Sequence, residues 1–147
     1  MAIRWPQGAR ELVDSLPVAR LATADSRGVP HVIPICYVRR STRIYSVIDD
    51  KPKRSRTGLK RLRNIAVNPA VAVIFDRYHP DWSKLAYVLV RGVASQVESR
   101  STFSDALRRL REKYPAYRRM DLAFESHPML CVQIERVRYW SAHLRSS

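Results

Sequence analysis

The sequence predicts a mainly β chain with about three helices, folded as a small antiparallel barrel, closed or split. Six apolar runs of strand length mostly follow one another directly, which favours antiparallel pairing over alternating βαβ units. Turn-forming residues separate several of these runs. The 147 residues are 46% hydrophobic and 9% aromatic, enough for a buried core and too much for a disordered basic tail.

Leu12, Val13 and Leu16 stand at helical spacing, and Pro17 stops the helix that they open. Residues 18–24 and 29–38 are strand patterns on either side of Asp25-Ser26-Arg27-Gly28, which reads as a hairpin. Pro30 and Pro34 cannot donate to a ladder, so they imply an edge, a bulge, or backbone turned toward a ligand. A polar turn over 39–43 leads to a third strand over 43–48, ended by Asp49-Asp50. Over 57–67, Leu59, Leu62, Ile65 and Ala66 share one helical face, so Lys60, Arg61 and Arg63 point away from the core, and Asn68-Pro69 ends the helix. Strands follow over 70–75 and 86–97, the second containing Gly92, where a bulge or bend is expected. His79-Pro80-Asp81-Trp82 forms the loop between them. Residues 101–114 predict a helix capped by Ser101 or Thr102, with Phe103, Ala106, Leu107 and Leu110 as its apolar stripe and basic residues late, where they suit its dipole. The last strand runs over 129–137, with Tyr139 and Trp140 close behind. A single domain over 1–147 is expected.

Composition narrows the function classes. With 4 Gly and 2 Cys, the chain is neither collagen-like, nor a multi-cysteine zinc module, nor a disulfide scaffold. Cys36 and Cys131 lie in apolar runs and read as small buried hydrophobes in a reduced setting. Without a membrane-length apolar run or a secretion-signal pattern, the expectation is a cytoplasmic protein. His31, His79, His127 and His143 are too scattered for a zinc site, so no metal is expected. Phosphate-loop, dinucleotide and nucleophile-elbow motifs are missing, so any redox chemistry would rest on a bound cofactor.

The 27 Lys+Arg against 13 Asp+Glu give a formal net charge of +14. Ten of the basic residues lie within 39–63 (Arg39, Arg40, Arg43, Lys51, Lys53, Arg54, Arg56, Lys60, Arg61 and Arg63), against only Asp49 and Asp50. Such a run is either a solvated face or an anion cradle. The cradle gains from Lys53-Arg54 and Lys60-Arg61, which flank the start of a helix whose N–H groups favour phosphate. Nucleic acid is a rival anion, but no helix-turn-helix, zinc finger or paired sheet aromatics support it. Trp82 and Trp140 are either packing residues or neighbours of a planar ring, and the same choice applies to Tyr37, Tyr45 and Tyr87.

The hairpin Val18-Ala19-Arg20-Leu21-Ala22-Thr23-Ala24-Asp25-Ser26-Arg27-Gly28-Val29-Pro30-His31, with Pro34-Ile35, and the junction Arg63-Asn64-Ile65-Ala66-Val67-Asn68-Pro69-Ala70-Val71 resemble the pyridoxamine 5′-phosphate oxidase-like split β-barrel superfamily. The resemblance spans roughly residues 10–140. Asp49-Asp50-Lys51-Pro52-Lys53-Arg54 and Asp81-Trp82-Ser83 are most similar to its coenzyme F420-dependent oxidoreductase branch, typical of actinobacteria.

The resemblance implies a six-stranded split barrel and a homodimer with two interfacial cofactor sites, built from both chains, for FMN or the deazaflavin coenzyme F420, and in some members haem. Counted back from Asn68-Pro69, Lys60-Arg61 matches the oxidase's phosphate-binding Arg-Lys pair; counted forward from the third strand, Lys53-Arg54 does. Both pairs stand. Ile33, Pro34 and Ile35 would line the ring with backbone groups, and Ser46 and Val47 would lie below the ribityl chain and phosphate; Trp82 is kept beside them as a candidate neighbour of the ring.

Where the oxidase has Arg and Lys on its ring-lining strand this chain has Ile33 and Val38, and Arg138-Tyr139-Trp140 replaces its substrate-binding Arg-x-His, so oxidation of pyridoxine phosphate is not expected. The basic segment exceeds what one phosphate needs and suits the phosphodiester, lactate and glutamate tail of coenzyme F420. The expected function is hydride transfer between reduced coenzyme F420 and a small organic acceptor. The alternatives are an FMN oxidoreductase of the same fold and a non-catalytic binder of cofactor or nucleic acid. No catalytic residue is assigned, although Tyr37 and His31 are available as proton donors.

Overall fold

The computed structural model describes residues 2–49 and 56–142, with the side chains of helical residues 56–59 set aside. Lys51, Lys53, Arg54 and His143 therefore lie outside the described residues. The elements are α1 (Ala9–Ser15), β1 (Ala19–Ala24), β2 (Pro30–Ile35), β3 (Val38–Arg40), β4 (Arg43–Val47), α2 (Arg56–Val67), β5 (Ala70–Arg77), β6 (Ala86–Gln96), α3 (Arg100–Lys113) and β7 (Met129–Ser141). None of these helices is long and apolar enough to cross a membrane.

One antiparallel sheet holds all seven strands in the order β2-β1-β5-β6-β7-β4-β3. Its two edge strands, β2 and β3, are neighbours in sequence, separated only by Cys36 and Tyr37. Three Cα steps from Ile35 to Val38 span at most about 11 Å. The sheet must therefore curl until its edges nearly meet, which is what makes it a split barrel.

The single strand expected over 29–38 is thus two, giving seven strands among the described residues instead of six. Tyr37 makes the break. Its ring is fully buried, edge-on to Phe75, with its hydroxyl donating to the Val13 carbonyl. Its amide leaves the ladder to donate to the Tyr114 hydroxyl at 3.0 Å. Pro30 and Pro34 fall on an edge strand, where missing donors cost least.

Smaller boundaries shift as well. Helix α3 is capped by Ser99, whose Oγ accepts from the Thr102 amide, and not by Ser101 or Thr102, which lie inside the first turn. Strand β5 runs on to Arg77, and β7 to Ser141 because it stays paired with β6 out to Ala86. Gly92 sits at the expected bulge: a Cβ there would lie 2.2 Å from the Gln133 carbonyl oxygen. Cys36 and Cys131 are free thiols, only half-buried.

Two apolar clusters result. The barrel interior is filled from α1, α2, β1, β2, β4, β5, β6 and β7, with Leu21, Ile33, Ile35, Ile65, Val73, Phe75, Val88 and Val90 among its members. A second cluster packs Phe103, Ala106, Leu107 and Leu110 of α3 over Val38, Tyr45, Val47 and Met129. Helix α3 covers the outer sheet face at β3 and β4. Over β2, β5 and β6 that face stays open, with Val32 61% exposed and Val93 40%.

Candidate anion-binding corner

The β1–β2 hairpin sets up the corner. Its turn is held by the Asp25 carboxylate, which accepts from the amides of Arg27 and Val29 at 2.8 and 2.9 Å, and Gly28 adopts a φ of 81°. These hydrogen bonds, led by Val29, hold the Asp25 carboxyl below its ordinary range. The register pairs Thr23 with His31. Leu21, Ile33 and Ile35, two and four residues along these strands, face the core, so Thr23 and His31 point inward at one end of the barrel.

Helix α2 closes over this end. Asn64 donates to the Thr23 hydroxyl at 3.0 Å, and both residues are buried. Arg61, one helical turn earlier, shares that face. It is 8% exposed, which overturns the expectation that it points away from the core. Ala66, expected in the core, is exposed in its place. The helix is rotated because the buried hydrogen bond between Asn64 and Thr23 outweighs a weakly apolar alanine.

Lys60 is exposed, and its charge acts on both Asp25 and His31. His31 is partly buried, and its Nδ1 is enclosed with no hydrogen-bond partner among the described residues. Burial first, then the charges of Lys60 and Arg61, push the imidazole below its ordinary value of 6.5. Lys60 and Arg61, the His31 imidazole and the buried Thr23–Asn64 hydroxyl–amide pair are thus associated with one end of the barrel. Cationic and hydrogen-bond-donating groups of this kind suit an anion in charge and in hydrogen-bonding sense.

The basic run does not act as one cradle. Arg39 makes a two-pronged pair with Asp14 at 2.8 and 2.7 Å, Arg40 reaches Asp105 at 2.6 Å, and Arg43 donates to Gln133 at 3.0 Å. These three serve the β3–β4 side of the barrel.

The other sequence-derived candidates are dispersed. Ile33 and Ile35 are buried in the interior and Pro34 is exposed on the outer face. Ser46 and Val47 are buried on β4, with Val47 under α3. Trp82 is 69% exposed beyond the far end of β5. Ala22 pairs with Ala72, and β5 continues five residues to Arg77, about 16 Å at ~3.3 Å per residue, so Trp82 stands well away from Lys60 within one chain. Thr23 and Asn64 were not among the expected site residues. The spacing of Arg61 to Asn64, three residues, was the available signal. Among the described residues no cluster of three or more His, Cys, Asp or Glu is gathered for a metal ion.

Several solved structures share this fold at low identity. An FAD-binding protein from Mesorhizobium loti is 18% identical, with 92% of this chain and 94% of that one covered at a TM-score of 0.70. A conserved hypothetical protein of Mycobacterium tuberculosis is 19% identical over 95% and 87%, at 0.73. The haem storage protein of Vibrio cholerae is 17% identical over 96% and 95%, at 0.68. No curated protein matches the sequence. The family model described as pyridoxamine 5′-phosphate oxidase matches residues 6–141 of the 147, including every strand of the barrel. The chain therefore belongs to the pyridoxamine 5′-phosphate oxidase family.

Proposed function

We propose that the protein is a homodimeric oxidoreductase that uses coenzyme F420, and that Lys60 and Arg61 hold the anionic part of this cofactor. The carrying observation is the burial of Arg61 on the α2 face that covers one end of the barrel, where the charges of Arg61 and exposed Lys60 both act on inward-facing His31. A phosphate fits these donors in charge and in hydrogen-bonding sense. The enclosed, unmatched Nδ1 of His31 adds a polar atom that such a group would serve.

When bound, a deazaflavin supplies two-electron hydride transfer to an acceptor. The chain's own residues position it. The Asn64–Thr23 hydrogen bond fixes the rotation of α2 and so the direction of Arg61. Lys60 contributes an exposed charge next to Arg61 in sequence. The open outer sheet face, with Val32, Val93 and the stacked pair Tyr87 and Trp140, suits a second copy that would exclude water from an interfacial site. The expected acceptor is a small organic molecule. The FAD-binding protein that shares this fold keeps FMN or another flavin as a second reading.

The test is titration of the purified protein with coenzyme F420 and with FMN, followed by absorbance and calorimetry. Saturable binding of coenzyme F420, weakened in Lys60→Ala or in a Lys53→Ala/Arg54→Ala variant, supports the reading. Tighter binding of FMN selects the flavin alternative. Binding of neither overturns both.

A further inference from the structure

We propose that His31 is a pH-sensing third ligand of the Lys60–Arg61 corner, so that anion capture there is coupled to uptake of a proton by its imidazole. The inference rests on the reading that this corner holds an anion.

The geometry is specific. His31 faces Thr23 across the hairpin, and the Thr23 hydroxyl already accepts from Asn64. The enclosed Nδ1 has no partner among the described residues. Most enclosed polar atoms in proteins are matched, so this nitrogen is a candidate contact for a bound group. Among the described residues, the charges that act on the ring are those of Lys60 and Arg61, both on α2. On the hairpin itself, Asp25 is engaged with the backbone of its own turn.

With no anion present, burial and two nearby cations make a third positive charge unfavourable, and the imidazole stays neutral. A phosphate or sulfate dianion reverses that balance. It offsets the cations and accepts a hydrogen bond from a protonated ring. Because the bound state then favours imidazolium, linkage requires anion affinity to rise as the pH falls through the histidine range.

Inorganic sulfate is the probe, since it does not titrate in this range. The full chain is followed by NMR of its imidazoles at constant ionic strength, the His31 signal being assigned by its loss in His31→Gln. In chloride the His31 midpoint should lie below 6.5. Sulfate should raise it, and less so in Lys60→Ala. Sulfate affinity should increase roughly threefold or more between about pH 7.5 and 5.5, and stay nearly flat in His31→Gln.

An unmoved midpoint, or the same pH profile in His31→Gln, overturns the inference. If coenzyme F420 or FMN binds while the midpoint stays fixed, only the role of His31 fails. If sulfate shifts His31 but neither cofactor binds, the pH-sensing anion site stands and the cofactor reading fails.

Discussion

Lys113 sits on the ring of Tyr37, its Nζ 3.8 Å from the ring centroid and donating to the Tyr37 carbonyl at 3.1 Å. Tyr37 is the residue at which the chain leaves one edge of the sheet for the other. The neighbouring Tyr114 hydroxyl accepts from its amide and donates to the Pro17 carbonyl at 2.8 Å. The end of α3 therefore clasps both backbone groups of the barrel's seam.

Lys113 should give stability a distinctive pH dependence. Burial pushes its pKa from 10.5 down to about 8. The folded chain then releases this proton before the unfolded chain does, so from this group stability rises as the pH goes from about 8 toward 10.5. Tyr114 acts in the opposite sense above pH 10, because burial raises its hydroxyl to about 12. Urea unfolding between about pH 8 and 10 should show a rise in the wild type that Lys113→Met lacks. Equal pH slopes in the two proteins would refute a desolvated amine at this position.

The hydrogen bond between Asn64 and Thr23 should be worth more than an average one because both partners are buried. Asn64→Ala leaves the Thr23 hydroxyl enclosed without its donor, a loss of about 1–3 kcal/mol. Thr23→Val combined with Asn64→Leu should recover part of that loss. A double-mutant cycle by denaturant unfolding measures the coupling, and additivity of the two changes would show that the contact is not formed.

These two contacts also mark how far the sequence can be read. The hairpin was legible because its turn chemistry is local: Asp25 caps its own loop and Gly28 takes a positive φ. The apolar stripe of α3 was legible because four side chains repeat at helical spacing. The break at Tyr37 was not, since residues 32–38 read as one largely apolar run and the hydroxyl that interrupts it comes from Tyr114, 77 residues away. The burial of Arg61 escaped for a related reason. A helical wheel assigns charge to the outside, and only the polar partner of Asn64 on another element turns that face inward.

The glycines separate two kinds of cost. Gly92→Ala places a methyl group 2.2 Å from a backbone oxygen that cannot swing aside, so the β6–β7 pairing must shift. A loss of roughly 1–3 kcal/mol or more is expected, as for other overpacked sites. Gly28→Ala meets no neighbour within 4 Å and pays only for its φ of 81°, about 1–2 kcal/mol. Thermal unfolding of the two variants should rank Gly92→Ala as the less stable. The reverse order would mean that the bulge at Gly92 relaxes freely.

The open sheet face leads to an association prediction. Val32→Lys with Val93→Lys puts charge on two exposed positions that make no part of either core cluster. Sedimentation should then report a monomer in place of the proposed dimer, with an unchanged circular dichroism spectrum. A dimer that survives both changes would move the interface elsewhere.

Charge placement can be distinguished from charge amount by pairing two substitutions. Lys60→Ala and Arg40→Ala each lower the net charge from +14 to +13, one charge removed from the same total. A general electrostatic field would lose the same attraction for an anion in either case. Arg40 is committed to Asp105 on the α3 side, whereas Lys60 is exposed and its charge acts on His31. Loss of one direct charge-assisted contact is worth about 1–2 kcal/mol, so Lys60→Ala should weaken sulfate or cofactor binding roughly 5- to 30-fold. Arg40→Ala should change it less than about twofold. Calorimetric titrations of both variants at two salt concentrations make the comparison, and equal losses would assign anion capture to the overall charge and remove the corner at α2 from the proposal.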